Sequence, residues 1–157
     1  RAMILNPDFI VADEPVSMLD VSIRSSILSL MLKLRNELGI SYLYITHDLA
    51  TARQICDRLA IMYLGRIVEE SRVDVVIKHP MHPYTKALIQ AIPVPDPLAR
   101  KSVATISGEV PNPINLPKGC RFHPRCPYAM DICKEVEPQL IEVEKDHKVA
   151  CHLISKR

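Results

Sequence analysis

"FIVADEPVSMLD", Phe9 to Asp20, and "YLYITHDLA", Tyr42 to Ala50, decide how this chain is read. In the first, an apolar run ends in Asp13-Glu14, a proline follows, and another carboxylate arrives at Asp20. In the second, an apolar run ends in a histidine, His47. With the turn chemistry of Asn6-Pro7-Asp8 ahead of it, Phe9 to Ala12 fits a strand buried on both faces. Ile23, Ile27, Leu30, Met31, Leu34 and Leu38 then fall on a helical stripe that Gly39 stops, with Asp20 and Ser22 as caps. Ile40 to Ile45 is a second strand, rich in β-branched and tyrosine residues. Strand, helix and strand at this spacing predict a right-handed βαβ crossover with parallel strands. Asp13-Glu14 and His47 would then emerge together at the carboxyl edge of one sheet, where open α/β sheets bind ligands.

A carboxylate at a strand tip beside a phosphate pocket can hold Mg²⁺, which bridges phosphate oxygens and offsets developing charge. A second carboxylate left free of the metal can orient and polarise an attacking water. Neighbouring side chains of an extended strand point to opposite sides, so one could serve the metal and the other the water. Taken alone, the pair reads as well as a helix cap or an exposed strand end, and His47 as a buried histidine satisfied by backbone.

The 157 residues carry a formal net charge of +2 and are 48% hydrophobic, which suits one domain, or one domain with a small appendage. Acidic and basic residues are interspersed, so charge gives no case for a nucleic-acid partner. No secretory signal pattern and no apolar run of bilayer length occurs, so contact with a membrane would come through a partner. The chain opens on Arg1, close to a strand, and reads as a piece of a longer polypeptide.

Downstream, Leu49 to Cys56 reads as a short helix and Arg58 to Glu70 as a hairpin around Gly65-Arg66. Val73 to Lys78 and Tyr84 to Ala91 read as short helices. From Ile92 to Lys118 prolines crowd in (Pro93, Pro95, Pro97, Pro111, Pro113, Pro117), as in a linker or strap. The last quarter holds Cys120, Cys126, Cys133 and Cys151, at C-x5-C and C-x6-C spacing before a longer gap. With no export signal, the cluster points to metal rather than to a disulfide framework. Zinc knuckles use closer pairs, and the wider loops suit an iron–sulfur cluster better, with zinc or plain thiols and disulfides as the alternatives. Arg121, Arg125 and Lys134 could offset the charge of such a cluster or be ordinary solvated surface. His123, His147 and His152 are conceivable substitute ligands. Cys56 reads as a core thiol, and His79 and His82 as capping or packing residues rather than ligands.

In context the opening stretch resembles the Walker B region of ABC-transporter ATPases. Four apolar residues precede Asp13-Glu14-Pro15, and Ser17-Met18-Leu19-Asp20 resembles that family's D-loop, with Met18 where the family commonly has a small residue. Thr46-His47-Asp48 resembles its switch-histidine loop. The resemblance implies Asp13 as Mg²⁺ ligand, Glu14 acting on the hydrolytic water, and His47 at the ATP γ-phosphate. It implies Asp20, with Ser17 beside it, at the contact between two ATPase domains. No GxxxxGK[ST] phosphate loop, LSGGQ-type signature or glutamine loop is present, and "RAMILNPDF" resembles the segment joining that signature to Walker B. The chain alone is therefore expected not to bind or hydrolyse ATP well.

"HPMHPYTKALIQAIP", His79 to Pro93, resembles the C-terminal extension of dipeptide and oligopeptide importer ATPases, a subfamily that also takes in nickel and sugar-oligomer importers. "SGEVPNPINLPKGCRFHPRCPYAMDIC", Ser107 to Cys133, and "HKVACHL", His147 to Leu153, continue it. The resemblance implies an ATP-hydrolysing subunit at the cytoplasmic face of the membrane. Its partners would be a second ATPase subunit, two permeases and an extracytoplasmic binding protein, with no nucleic acid. It also implies a [4Fe-4S] cluster on the four cysteines, as in some members. The expected fold is α/β: part of an ABC ATPase domain with parallel strands over 1–78, a helix and Pro-rich linker over 79–118, and a loop-rich cysteine module over 119–157. For the isolated chain the rival reading is a non-catalytic metal-binding or regulatory module.

Overall fold

The computed structural model describes residues 2–92, 106 and 108–154. It forms two compact units, Arg1–Cys56 and Asp57–Arg157. The first is the anticipated βαβ crossover. Strand β1 (Phe9–Asp13) pairs in parallel with β2 (Ser41–Ile45), in register from Phe9 opposite Ser41 to Asp13 opposite Ile45. Helix α1 (Val21–Leu38) makes the crossover, and α2 (Leu49–Ile55) follows β2. Gly39 ends α1 in the left-handed region, φ 68°, with its N–H on the Arg35 carbonyl, a conformation that glycine adopts without a Cβ clash. Asp20 occupies the N-cap position, but its side chain does not bond to the helix amides as a cap would.

The core of this unit is Ala12, Val16, Leu28, Met31 and Ile55, with Leu19, Ile27, Leu32, Tyr42, Tyr44 and Cys56 packed around it. Burying a side chain such as Leu28 contributes about 1.5–3 kcal/mol. The strands are not buried on both faces. Phe9, Val11, Leu43 and Ile45 are exposed, so burial alternates along β1 and β2. Among the described residues of this unit, helix packing covers one face of the two-stranded sheet only. For the same reason Ile23, Leu30 and Leu38 on the anticipated helical stripe are exposed, whereas Leu28 is buried.

The second unit is a four-stranded antiparallel sheet, in the order β3 (Arg58–Tyr63), β4 (Arg66–Arg72), β6 (His147–Val149), β5 (Ile141–Glu144). The β3–β4 hairpin turns on Leu64, φ 44°, and Gly65, φ 77°, the double positive φ of a two-residue type I′ turn. Helices α3 (Val73–Lys78), α4 (Pro83–Gln90) and α5 (Asp131–Glu135) are short. Because β6 pairs with β4, Glu69 opposite Val149 and Glu70 opposite Lys148, one sheet runs across the boundaries anticipated at 78/79 and 118/119. The cysteine segment is thus part of the hairpin's own unit. Of the Pro-rich stretch, residues 93–105 and 107 lie outside the described residues, and no helix or strand forms from 108 to 118.

Phe122 is the hub of this unit's core, 1% exposed, with Tyr63, Tyr84 and His82 at ring-centroid distances of 5.2, 5.4 and 5.7 Å. A buried carboxylate, Glu69, sits beside it and is fully satisfied. Its oxygens accept from the Met81 N–H at 2.8 Å, the His82 N–H at 2.9 Å and His147 Nε2 at 2.8 Å. Three donors replace the water that a buried carboxylate loses. His82 also caps α4, its Nδ1 accepting the Tyr84 N–H at 3.1 Å, so both anticipated roles, cap and packing residue, belong to it.

Candidate functional site

The βαβ geometry brings Glu14 and His47, 33 residues apart, into direct contact at the carboxyl edge of β1 and β2. His47 Nδ1–H donates to Glu14 Oε1 at 2.6 Å. The contact is open to solvent, with side-chain exposures of 77% for His47 and 37% for Glu14. The hydrogen bond from His47 holds the Glu14 carboxyl below the usual glutamate range. The same bond, with the carboxylate charge, holds the His47 imidazole above its ordinary value. Both shifts favour a charge-assisted imidazolium–carboxylate contact.

Asp13 is the last, exposed residue of β1, opposite Ile45. Glu14 does not continue the strand. Its φ is 46°, a left-handed conformation uncommon for a non-glycine residue. The two carboxylates therefore do not alternate along one extended strand, because Glu14 sits in a turn. The turn is pinned from several sides. The Glu14 N–H extends the β1–β2 ladder onto the Ile45 carbonyl at 2.9 Å, and the Glu14 carbonyl accepts the Ser17 hydroxyl at 3.0 Å and the Ser17 N–H at 3.3 Å. Strain of this kind, held by its surroundings, concentrates where a side chain must be aimed.

Behind the pair stand groups to which the sequence pattern assigned no role. Asp48 caps α2, its carboxylate accepting the Ala50 and Thr51 N–H groups at 2.9 and 3.3 Å and the Thr51 hydroxyl at 2.6 Å. The Thr51 hydroxyl chiefly lowers its pKa. Arg24, on the first turn of α1, approaches it, Nη1 to Oδ2 at 3.6 Å. Tyr44 lies beneath them, and burial pushes its hydroxyl up. Its buried Oη has no hydrogen-bond partner among the described residues, nor has Arg24 Nε. A charged residue one turn into an apolar-striped helix was the available signal for Arg24.

The four C-terminal cysteines influence one another electrostatically. The charges of Cys120, Cys126 and Cys133 all act on Cys151, and those of Cys126 and Cys133 on Cys120. No disulfide joins any of them. Burial pushes the thiols of Cys120 and Cys126 up, and that of Cys151 to about 11. Backbone N–H groups oppose this, from Phe122 and His123 toward Cys120, Tyr128 toward Cys126, and Leu153 toward Cys151. Amides aimed at sulfur are a feature of thiolate–metal sites. Even so, no group of three or more His, Cys, Asp or Glu among the described residues is arranged to hold one metal ion.

The basic and imidazole side chains anticipated around such a site are engaged elsewhere. Arg121 bonds the Leu64 carbonyl and pairs with Glu137, Arg125 donates to the Gly108 carbonyl at 3.1 Å, and Lys134 pairs with Asp131 at 2.9 Å. His123 donates to the Cys120 carbonyl, His152 to the Val136 carbonyl, and His147 bonds Glu69. No helix among the described residues is long and apolar enough to cross a membrane.

Comparison with known proteins gives a consistent setting. Residues 68–133 match the family model described as oligopeptide/dipeptide transporter, C-terminal region. Over 98% of its length the chain is 50% identical to a probable peptide ABC transporter ATP-binding protein of Sinorhizobium fredii. It is 47% identical, again over 98%, to a putative oligopeptide transport ATP-binding protein of Bacillus subtilis. Over 96% it is 46% identical to a dipeptide transport ATP-binding protein of Haemophilus influenzae. It spans 43%, 47% and 46% of those proteins, less than half of each.

Proposed function

We propose that the chain is part of an ATP-binding protein of an oligopeptide/dipeptide ABC transporter, and that it forms the water-activating part of an ATP-hydrolysing subunit that energises uptake of di- or oligopeptides. The observation that carries this reading is the 2.6 Å contact between His47 and Glu14 at the carboxyl edge of a parallel βαβ unit. In this reading a phosphate-cradling loop is supplied from outside this stretch of sequence. The peptide substrate rests on the names of the relatives and on the match over 68–133.

In this reading the resting pair stores the two groups in mutual neutralisation. A γ-phosphate oxygen is the stronger competitor for the His47 N–H, because it carries more charge than a carboxylate oxygen. When His47 turns to it, Glu14 Oε1 is released to accept a proton from water and aim that water at phosphorus. The left-handed turn at Glu14 fixes the direction of that carboxylate beforehand. Asp13 is a single exposed hard-oxygen donor, suited to Mg²⁺, which keeps much of its water shell. Bound Mg²⁺ would offset phosphate charge. Ser17 and Asp20 lie in the loop that faces a second ATPase subunit. The assembly has two permeases and an extracytoplasmic binding protein, and this chain is peripheral at the cytoplasmic face of the membrane.

The cysteines belong to a [4Fe-4S] site in the same reading, with Zn²⁺ as the alternative. Four mutually coupled thiols with amides aimed at three of them support the donor set, and the C-x5-C and C-x6-C spacing is wider than that of zinc knuckles. Burial raises the thiols of Cys120, Cys126 and Cys151, so loading of such a group would release protons. Iron, acid-labile sulfide and zinc assays on protein purified without oxygen test this, and a metal-free, sulfide-free protein removes the site.

The catalytic reading is tested by Glu14→Gln in the full-length subunit within its transporter. ATP turnover should fall about 10²- to 10⁴-fold with ATP binding retained. Unchanged turnover would refute the assignment of Glu14.

A further inference from the structure

We propose that Arg24 is a positioning residue that couples the Ser17–Asp20 loop to the switch histidine, by holding the end of that loop and the residue next to His47 at once. This rests on the ATPase reading above. The Arg24 backbone N–H donates to the Asp20 carbonyl at 2.8 Å, and its side-chain Nη2 reaches back to the Leu19 carbonyl at 3.4 Å. Its Nη1 lies 3.6 Å from Asp48 Oδ2. One residue thus grips the last two carbonyls of the loop and touches the carboxylate that follows His47 in sequence.

Asp48 is a fixed anchor because its oxygens cap α2. His47 is tied in turn to Glu14, whose carbonyl holds Ser17. These contacts, with the chain itself linking Ser17 to Leu19 and His47 to Asp48, close a ring that runs Glu14, Ser17, Leu19, Arg24, Asp48, His47 and back to Glu14. A shift of the loop at its exposed side therefore moves the guanidinium, and through Asp48 the backbone that carries His47.

Two features distinguish a coupling role from simple packing. Both side-chain contacts of Arg24 are longer than an optimal charge-assisted bond of about 2.7–2.9 Å, and Nε is buried without a partner. The guanidinium can tighten on one side only by loosening on the other, unless the two loops approach. Its planar fork can address two acceptors at fixed angles, which a lysine ammonium cannot do in the same way. The charged groups acting on His47 are Glu14, Asp48 and Arg24, and the positive charge of Arg24 opposes the other two.

The test uses Arg24→Gln and Arg24→Lys in two settings. In this chain, NMR titration of His47 and amide exchange at Leu19 and Asp20 are followed without nucleotide. Arg24→Gln should raise the His47 midpoint, because an opposing positive charge is lost, and speed exchange at both amides. Arg24→Lys should keep the midpoint near wild type, since charge is retained, yet still speed exchange. In the full-length transporter, Arg24→Gln should lower kcat for ATP about tenfold with KM changed less than about twofold, and Arg24→Lys should recover only part of that loss. Unchanged exchange in both variants overturns the bridge. Faster exchange with unchanged kcat overturns the positioning role and leaves a structural contact. A wild-type transporter that turns over no ATP defeats the ATPase reading itself, a result separate from the nucleotide-free measurements.

Discussion

The two units manage their polar and apolar groups in opposite ways. In the second, the largest fully buried side chains include a glutamate and two histidines, Glu69, His82 and His147, alongside Phe122, Val76 and Val149. Each of those side chains has at least one hydrogen-bond partner, although His147 Nδ1 is buried without one among the described residues, and the unit encloses its own core. The first unit keeps its His47–Glu14 pair in the open and leaves Phe9, Val11, Leu43 and Ile45 uncovered on one sheet face. Histidine–carboxylate pairs of nearly equal length, 2.8 Å for His147–Glu69 and 2.6 Å for His47–Glu14, thus do different work. A buried pair whose lone pairs are filled by backbone amides cannot let go without stranding a charge. An exposed pair exchanges partners at little cost. Length of contact does not distinguish a structural clamp from a reactive pair; burial and the remaining partners do.

The contrast can be broken most directly at Glu69. Glu69→Ala removes the acceptor of two amides and of His147 and should cost the second unit about 3–5 kcal/mol in denaturant unfolding. A loss near zero would mean that the buried pair is no clamp. Gly119→Ala comes next. At φ 67° an added Cβ would meet the Cys133 carbonyl oxygen at 2.5 Å and the Glu135 nitrogen at 2.9 Å, all backbone. The strained conformation alone costs about 1–3 kcal/mol, and the clash should push Cys120 away from Cys133. The thiols of this variant should react faster with a maleimide than those of the wild type. The smallest effect belongs to the open face, where Leu43→Thr should change the stability of this chain by less than about 0.5 kcal/mol. A larger loss would show that Leu43 is packed after all.

Local patterns carried the first unit. The run from Phe9 and the run into Ile45 became parallel strands, Gly39 ended α1, and the motif residues Glu14 and His47 met. What the pattern missed there was the number of packed faces, because an apolar run reads alike whether one face or both are covered. It also missed the left-handed turn at Glu14, since glutamate carries no signal for positive φ. The second unit was legible only as separate pieces. "IEVEKDHKV", Ile141 to Val149, alternates around Asp146, whose φ is 59°, yet among the cysteines it read as loop. The pairing of β6 with β4, and of His147 with Glu69, spans 78 residues, and nothing local announces such a contact. Cysteine spacing led to the expectation of a shared metal site, yet no metal-holding group forms among the described residues, and the arginines and histidines nearby turned to backbone carbonyls and carboxylates.

The account's central claim is that Glu14 and His47 stand paired before nucleotide arrives. The pair's effect on stability has a defined window. The raised His47 contributes below the ordinary histidine value of 6.5, and its contribution is lost as pH rises through its elevated midpoint. The lowered Glu14 contributes above the ordinary glutamate value of 4.5, and its contribution is lost as pH falls through its depressed midpoint. The most direct measurement is an NMR titration of the His47 ring in the wild-type chain and in Glu14→Gln. The account predicts a wild-type midpoint above the ordinary histidine value that drops back toward it in the variant. Equal midpoints in the two proteins would contradict it.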